Sequence, residues 1–188
     1  GHRARGDVRL LEQIGRTLSF GVIPLNLLTT DNAGQAVSST MIRQLVAEGD
    51  VAAAARALAR PHRVEGTVVS GDGRGTGLGF PTANLSMTPF PAVPADGVYA
   101  GRIIVDPYGE HDVHSAAISI GTNPTFDDVV DHRVEAWAYD GGQLDLYDRP
   151  LAIDFAARIR DQIKFSSEDE LAAAVAQDAV AIRQVLGE

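Results

Sequence analysis

Apolar and polar positions along this chain follow two different rhythms, and the change falls near residue 60. Before it, apolar residues recur at helical spacing. Leu10, Leu11, Ile14 and Leu18 share one helical face behind a capping Asp7, and Gly21 offers a stop. Residues 22–28 read as a strand that Pro24 confines to an edge or a bend. Ser38-Ser39-Thr40 opens a second helix with Ile42, Leu45 and Val46 inward and Gly49 as its end, and Asp50 starts a third through the alanine-rich run to Leu58.

From His62 onward, short apolar runs alternate with Gly/Pro punctuation. Residues 64–69, 97–105, 113–120, 133–139 and 151–157 are the predicted strands. Asp106-Pro107-Tyr108-Gly109, Gly121-Thr122-Asn123-Pro124 and Asp140-Gly141-Gly142 carry turn chemistry between them. Strands this close, with no long helix between them, predict an antiparallel barrel rather than a parallel sheet. The chain closes on a helix with Ser167 and Glu170 as a capping box. Its stripe of Leu171, Val175, Ala179, Ile182 and Leu186 is suited to packing against that barrel.

Composition narrows the function classes. A chain of 188 residues, 45% hydrophobic and 22% charged, has room for one ordinary domain and a smaller piece. There are no cysteines, so disulfides and thiolate metal sites are excluded, and a reducing cytoplasm fits. A net charge of −9 argues against a nucleic-acid binder, and no apolar run approaches a membrane span. Neither observation excludes ATP, whose phosphates need only local cations and N–H groups. The five histidines show no spacing that would build a metal site.

One stretch concentrates chemistry. From Gly71 to Gly79 glycines fall at alternate positions around Arg74, so the backbone can curl and present N–H groups to an anion. No Gly-Lys-Ser/Thr follows, which excludes a Walker A loop, and Phe80-Pro81 cannot start the helix of a dinucleotide fingerprint. In the ledge that follows, Thr82 and Asn84 lie two apart and point the same way in an extended segment. That pair suits a partly hydrated Mg²⁺; it equally suits two side chains satisfying backbone groups at a turn. Glu135 shares a strand face with Trp137 and Tyr139, opposite Val134, Ala136 and Ala138. The pattern fits a catalytic carboxylate or a solvated residue on the outside of a barrel.

The whole string Gly71-Asp-Gly-Arg-Gly-Thr-Gly-Leu-Gly-Phe-Pro-Thr-Ala-Asn-Leu85 resembles the signature of the riboflavin kinase family in its bacterial form. The resemblance extends through Asp96-Gly-Val-Tyr-Ala100, Gly121-Thr-Asn-Pro-Thr-Phe126, Leu144-Asp-Leu-Tyr147 and Arg158-Ile-Arg-Asp-Gln-Ile-Lys-Phe165, covering the chain from about Arg60 to its end. It implies a small Greek-key β-barrel closed by a C-terminal helix over residues 61–188, and the reaction ATP + riboflavin → ADP + FMN. It further implies that Gly71, Gly73, Arg74, Gly75 and Gly79 cover the nucleotide phosphates, and that Pro81, Thr82 and Asn84 form the ATP–Mg²⁺ ledge. Glu135 then accepts the proton of the attacking hydroxyl. Arg160 and Asp161 lie on a loop beside the flavin, or else form a surface ion pair of small worth.

Residues 1–60 resemble the end of the FMN adenylyltransferase module of bifunctional riboflavin kinase/FAD synthetases. Ser38, Ser39, Thr40 and Arg43 match the phosphate-holding motif of that α/β nucleotidyltransferase fold. The upstream His-x-Gly-His-type motif is not in this sequence, so FAD synthesis is not expected. A segment without its partner strands is expected to be loosely packed, swapped, or clasped onto a neighbouring molecule. Two competing functions stand beside the kinase: a non-catalytic flavin or nucleotide binder, and a structural barrel used for protein contacts.

Overall fold

The protein is described here by a computed structural model covering residues 6–26, 29, 36–71, 80–87, 91–124, 130–139 and 144–188. By compactness the chain divides between Val37 and Ser38.

The first unit carries helix α1 (Val8–Leu18), whose N-cap is Asp7, the side chain accepting from the Leu10 amide at 2.8 Å. The helix ends at Ser19, in the left-handed region at φ 58°, two residues ahead of the expected stop at Gly21. No regular strand forms over the described residues 22–26, contrary to the expectation for 22–28. Pro24 supplies no donor, and the described residues of this unit pair only through the single bridge Thr29–Ala36. Ile23 and Leu25 are each 85% exposed, as a strand without a partner leaves them.

The second unit opens with α2 (Ser39–Ala47) and α3 (Val51–Leu58), capped by Ser38 and Asp50. Gly49 ends α2 in the left-handed conformation the sequence predicts there. Six strands follow: β1 (His62–Val69), β2 (Ala83–Met87), β3 (Gly97–Val105), β4 (Asp112–Pro124), β5 (Val130–Ala138) and β6 (Pro150–Arg160). They close into a barrel in the order β1-β2-β5-β4-β3-β6, every pair antiparallel. In this order β6 returns to lie beside β3 after the β3-β4-β5 meander, which is a Greek key. The final helix is α4 (Glu168–Leu186).

The fold is the small Greek-key β-barrel closed by a C-terminal helix that the sequence predicts, with three local differences. Strand β2 is an addition, because five residues that include Asn84 and Ser86 carry little β-propensity. Gly121–Pro124 continues β4 instead of turning, since Gly121, Thr122, Asn123 and Pro124 pair with Arg133, His132, Asp131 and Val130. Strand β6 runs on to Arg160, three residues past the predicted end. The expected turn at Asp140–Gly142 lies outside the described residues. The turn at Asp106 forms, with the Gly109 amide donating to the Asp106 carbonyl at 2.9 Å.

Side-chain alternation decides what the barrel holds. Val64, Val68, Leu85, Ile118, Ile120, Val134, Ile153 and Phe155 are fully or almost fully buried within it. Each contributes about 1.5–3 kcal/mol in transfer terms. Tyr99 joins them, its ring edge-on to Phe155 at 5.5 Å and its hydroxyl donating to the Ala95 carbonyl at 2.5 Å. Burial raises the pKa of that phenol above its ordinary value. Strand β3 is apolar on both faces because α4 packs against β3, β4 and β6, burying Ile182. That helix covers one side of the barrel's outer wall. Its Arg183 reaches the Tyr139 ring, just past the end of β5, at 5.2 Å.

Candidate functional site

Asn84, Glu135 and Ser119 form one row across three strands. Asn84 is the direct cross-strand partner of Glu135 on β2 and β5, and Glu135 is the partner of Ser119 on β4. Directly paired residues have Cα atoms about 4.5–5.5 Å apart and side chains on the same face. Their neighbours Ala83, Leu85, Val134, Ala136, Ile118 and Ile120 are buried in the core, so alternation turns the row outward. The Glu135 side chain keeps one third of its surface (33%) and faces an Arg133 guanidinium at 4.0 Å.

The chain leaving β1 crosses this row at close range. A Cβ at Gly71 would lie 2.0 Å from Asn84 Nδ2 and 2.4 Å from its Cγ. Only a residue without a side chain lets the backbone pass there. Val69, the last residue of β1, pairs with Asn84, so the glycine loop starts directly above the ledge. Gly73, Arg74, Gly75 and Gly79 lie outside the described residues. At the loop's far end Phe80 packs edge-on against Trp137 at 4.9 Å, and Trp137 in turn contacts Tyr139 at 6.1 Å. This aromatic stack fixes the chain immediately before Pro81 and Thr82. Thr82 borders a cavity of about 90 Å³ at the barrel mouth, walled by Val68, Leu144, Leu146 and Tyr147.

The predicted flavin-loop residues sit at the end of β6 and are already engaged. Arg160 gives its fork to Asp178 of α4, Nε to Oδ1 at 2.9 Å and Nη2 to Oδ2 at 2.7 Å, and its guanidinium stacks 5.8 Å from the Phe165 ring centre. Asp161 is 80% exposed in its side chain and pairs with Arg158 at 3.0 Å. Arg158 also donates to the Asp96 carbonyl at 2.6 Å, which ties the end of β6 to the start of β3. Gln162 follows, its amide nitrogen 2.8 Å from Ser119 Oγ and 2.9 Å from the Ile120 carbonyl. In α2, Ser38 spends its hydroxyl as an N-cap on the Met41 amide at 3.2 Å, and Arg43 is exposed.

Glu135 and Asn84 are therefore brought side by side, with Gly71 close above Asn84 and Thr82 two residues before it. Arg160 is committed to the fold. Reading the sequence missed Ser119, Gln162 and Asp178. Ser119 was open to discovery, being a polar residue at an outward position of an otherwise apolar strand.

Oxygen donors at Thr82 and Asn84 are neutral, and among the described residues no group of three His, Asp or Glu could hold a metal ion. Such a ledge fits a Mg²⁺ whose charge is balanced by nucleotide phosphates and whose remaining positions hold water.

Comparison with known proteins bears on these residues. Residues 58–186 match the riboflavin kinase (Flavokinase) family. A bifunctional riboflavin kinase/FMN adenylyltransferase of Escherichia coli K12 is 33% identical over 187 residues, spanning all of this chain and 57% of the relative. One from Bacillus subtilis is 35% identical over 144 residues, 76% of this chain and 44% of its own length. The chain thus spans about half the length of the curated relatives it matches. Among solved structures, a Streptococcus pneumoniae protein described as a macrolide-efflux protein superposes with a TM-score of 0.81 at 32% identity, over 92% of this chain and 54% of that one. Riboflavin kinase from Trypanosoma brucei superposes with a TM-score of 0.50 at 25% identity, over 67% and 80%.

Proposed function

This chain belongs to the riboflavin kinase family, and from that premise we propose that it moves the γ-phosphoryl group of ATP onto the ribityl 5′-hydroxyl of riboflavin, giving FMN and ADP. The observation that carries this reading is the direct pairing of Asn84 with Glu135 beneath the glycine at position 71. A carboxylate and an amide on adjacent strands, with Gly71 passing close to the amide, support a proton acceptor beside a phosphate-binding backbone.

In the proposed mechanism Glu135 receives the proton of the 5′-hydroxyl as its oxygen bonds to the γ-phosphorus and the bond to the ADP oxygen breaks. The loop from Gly71 through Gly79, with Arg74, cradles the phosphates by N–H groups and charge. Thr82 and Asn84 would hold Mg²⁺ or its waters, and such an ion would supply charge neutralisation for the transferring group. Asp161, exposed at the end of β6, is the residue we assign to the flavin side. Positioning and charge complementarity supply most of the acceleration, because this chemistry asks little covalent work of the protein.

Residues 1–60 we read as resembling the end of an adenylyltransferase module, with Ser38, Ser39, Thr40 and Arg43 matching its phosphate-holding motif. The exposed apolar residues of α1, among them Leu11 at 51% and Leu18 at 67%, support self-association through this segment.

The test is chromatographic. Riboflavin, Mg-ATP and the purified chain should yield FMN and ADP in equal amounts. Thermal stabilisation by ADP and FMN without any FMN produced would instead establish a non-catalytic binding module.

A further inference from the structure

The Gln162 side chain makes three polar contacts through one nitrogen: Ser119 Oγ at 2.8 Å, the Ile120 carbonyl at 2.9 Å and the Gly97 carbonyl at 3.5 Å. Two of these partners are carbonyls, which only accept, so the amide orientation is settled by chemistry: a flipped side chain would set oxygen against oxygen. With Gln162 donating to it, Ser119 Oγ has accepted one hydrogen bond and retains its own hydrogen to give. Ser119 stands directly across from Glu135. Ser119 and Glu135 thus share one face of one pair of strands, at the Cα separation of about 4.5–5.5 Å that direct pairing imposes.

The segment carrying Gln162 is pinned on both sides. Before it, Arg158 holds Asp161, and Arg160 locks onto Asp178, which is only 7% exposed. After it, Ser167 caps α4. Gln162 is the one residue of this stretch that reaches across to the row containing Glu135. A glutamine on an exposed connector would ordinarily be solvated, and holding it in place costs up to about 2 kcal/mol of side-chain entropy. Here two short hydrogen bonds offset that cost at a single point on the wall.

We infer that Gln162 is a positioning residue for phosphoryl transfer: through Ser119 it fixes the orientation of the Glu135 carboxylate and binds the segment after β6 to the wall where that carboxylate lies. The inference rests on Glu135 being the proton acceptor proposed above. It extends that reading by coupling the closure of the flavin-side segment to the alignment of the base. Gln162 and Ser119 then act as one unit, and breaking either contact has the same consequence.

Steady-state FMN formation by wild type, Gln162→Ala, Ser119→Ala, Ser119→Thr and the Gln162→Ala/Ser119→Ala double variant tests this, with melting temperatures recorded for each. Gln162→Ala and Ser119→Ala should each lower kcat by about tenfold, with KM for Mg-ATP within twofold of wild type. The double variant should be no slower than the slower single variant, and Ser119→Thr, which keeps the hydroxyl, should recover most of the lost rate. A merely structural role would lower the melting temperature and leave kcat per folded molecule unchanged, which overturns the inference. Wild-type turnover with Gln162→Ala within twofold of it overturns this assignment alone. A wild-type chain that forms no FMN overturns the kinase reading and this assignment together.

Discussion

Replacing Gly71 by alanine separates function from stability at one methyl group. The added Cβ would lie 2.0 Å from Asn84 Nδ2, 2.4 Å from Cγ and 2.7 Å from Oδ1, where ordinary contact begins near 3.4 Å. The Asn84 amide must retreat by more than an ångström. All three atoms sit at the free end of a side chain, so neither backbone nor core has to move. Displacing Asn84 from its rotamer costs about 0.5–1.5 kcal/mol. Gly71 has no left-handed backbone, so alanine recovers about 0.4–1 kcal/mol by restricting the unfolded chain. The two effects nearly cancel, and the melting temperature should stay within a few degrees of wild type. Activity should not. A misplacement of about 1 Å costs on the order of 100-fold, or about 2.7 kcal/mol of transition-state stabilisation. FMN formation read as kcat/KM for Mg-ATP, beside a thermal melt, measures both. An alanine variant within threefold of wild type would refute the placement of Asn84 at the phosphates. A fall of more than about 10 °C would show that the amide supports the fold instead.

Two further substitutions probe the scaffold. Asp178→Ala leaves Arg160 without its fork partner, and breaking such a buried pair costs about 3–5 kcal/mol. The lower end applies because Arg160 retains 23% of its side-chain surface, so a drop of roughly 6–12 °C in melting temperature is expected; a change under 2 °C would remove the pair from the account of how α4 is anchored. His62 tests pH dependence: burial holds its imidazole below the ordinary value, Arg60 adds to this, and its ring nitrogen contacts the Ala92 carbonyl at 2.7 Å. Because the folded pKa is lowered, the unfolded state binds more protons just below pH of about 6.5, so this contribution is complete above that value and lost as pH falls through the window beneath it. Melting at pH 7.5 and pH 5.5 should show a larger loss for wild type than for His62→Gln, and equal losses would contradict the assignment.

Much of this architecture is legible in the residues, for identifiable reasons. Asp7, Ser38, Asp50 and Ser167 cap their helices as predicted, because capping is a contest between one side chain and the nearest amides. Alternation in Val134-Glu135-Ala136-Trp137 set Glu135 on the face opposite Val134 and Ala136 without saying which face is outer, and the burial of Val134 and Ala136 turns Glu135 outward. What could not be read depends on distant partners. Nothing local in Ala83–Met87 marks a strand until β1 and β5 flank it, and nothing in 22–26 shows that no partner strand is at hand. Asp178 looks like one more charge on a helix, and its burial follows only from Arg160 arriving at the end of β6. Gln162 is silent for the same reason, since Ser119 lies 43 residues earlier.

The central claim is that Glu135 takes the proton from the ribityl hydroxyl while Asn84 and the loop beginning at Gly71 hold the phosphates. Single-turnover FMN formation by Glu135→Gln, at saturating riboflavin and Mg-ATP, tests it most directly. Glutamine preserves the shape and cannot accept the proton, so the rate should fall by about 10²–10⁴-fold with ADP and flavin affinities within threefold of wild type. A Glu135→Gln variant that forms FMN at close to the wild-type rate would contradict the claim.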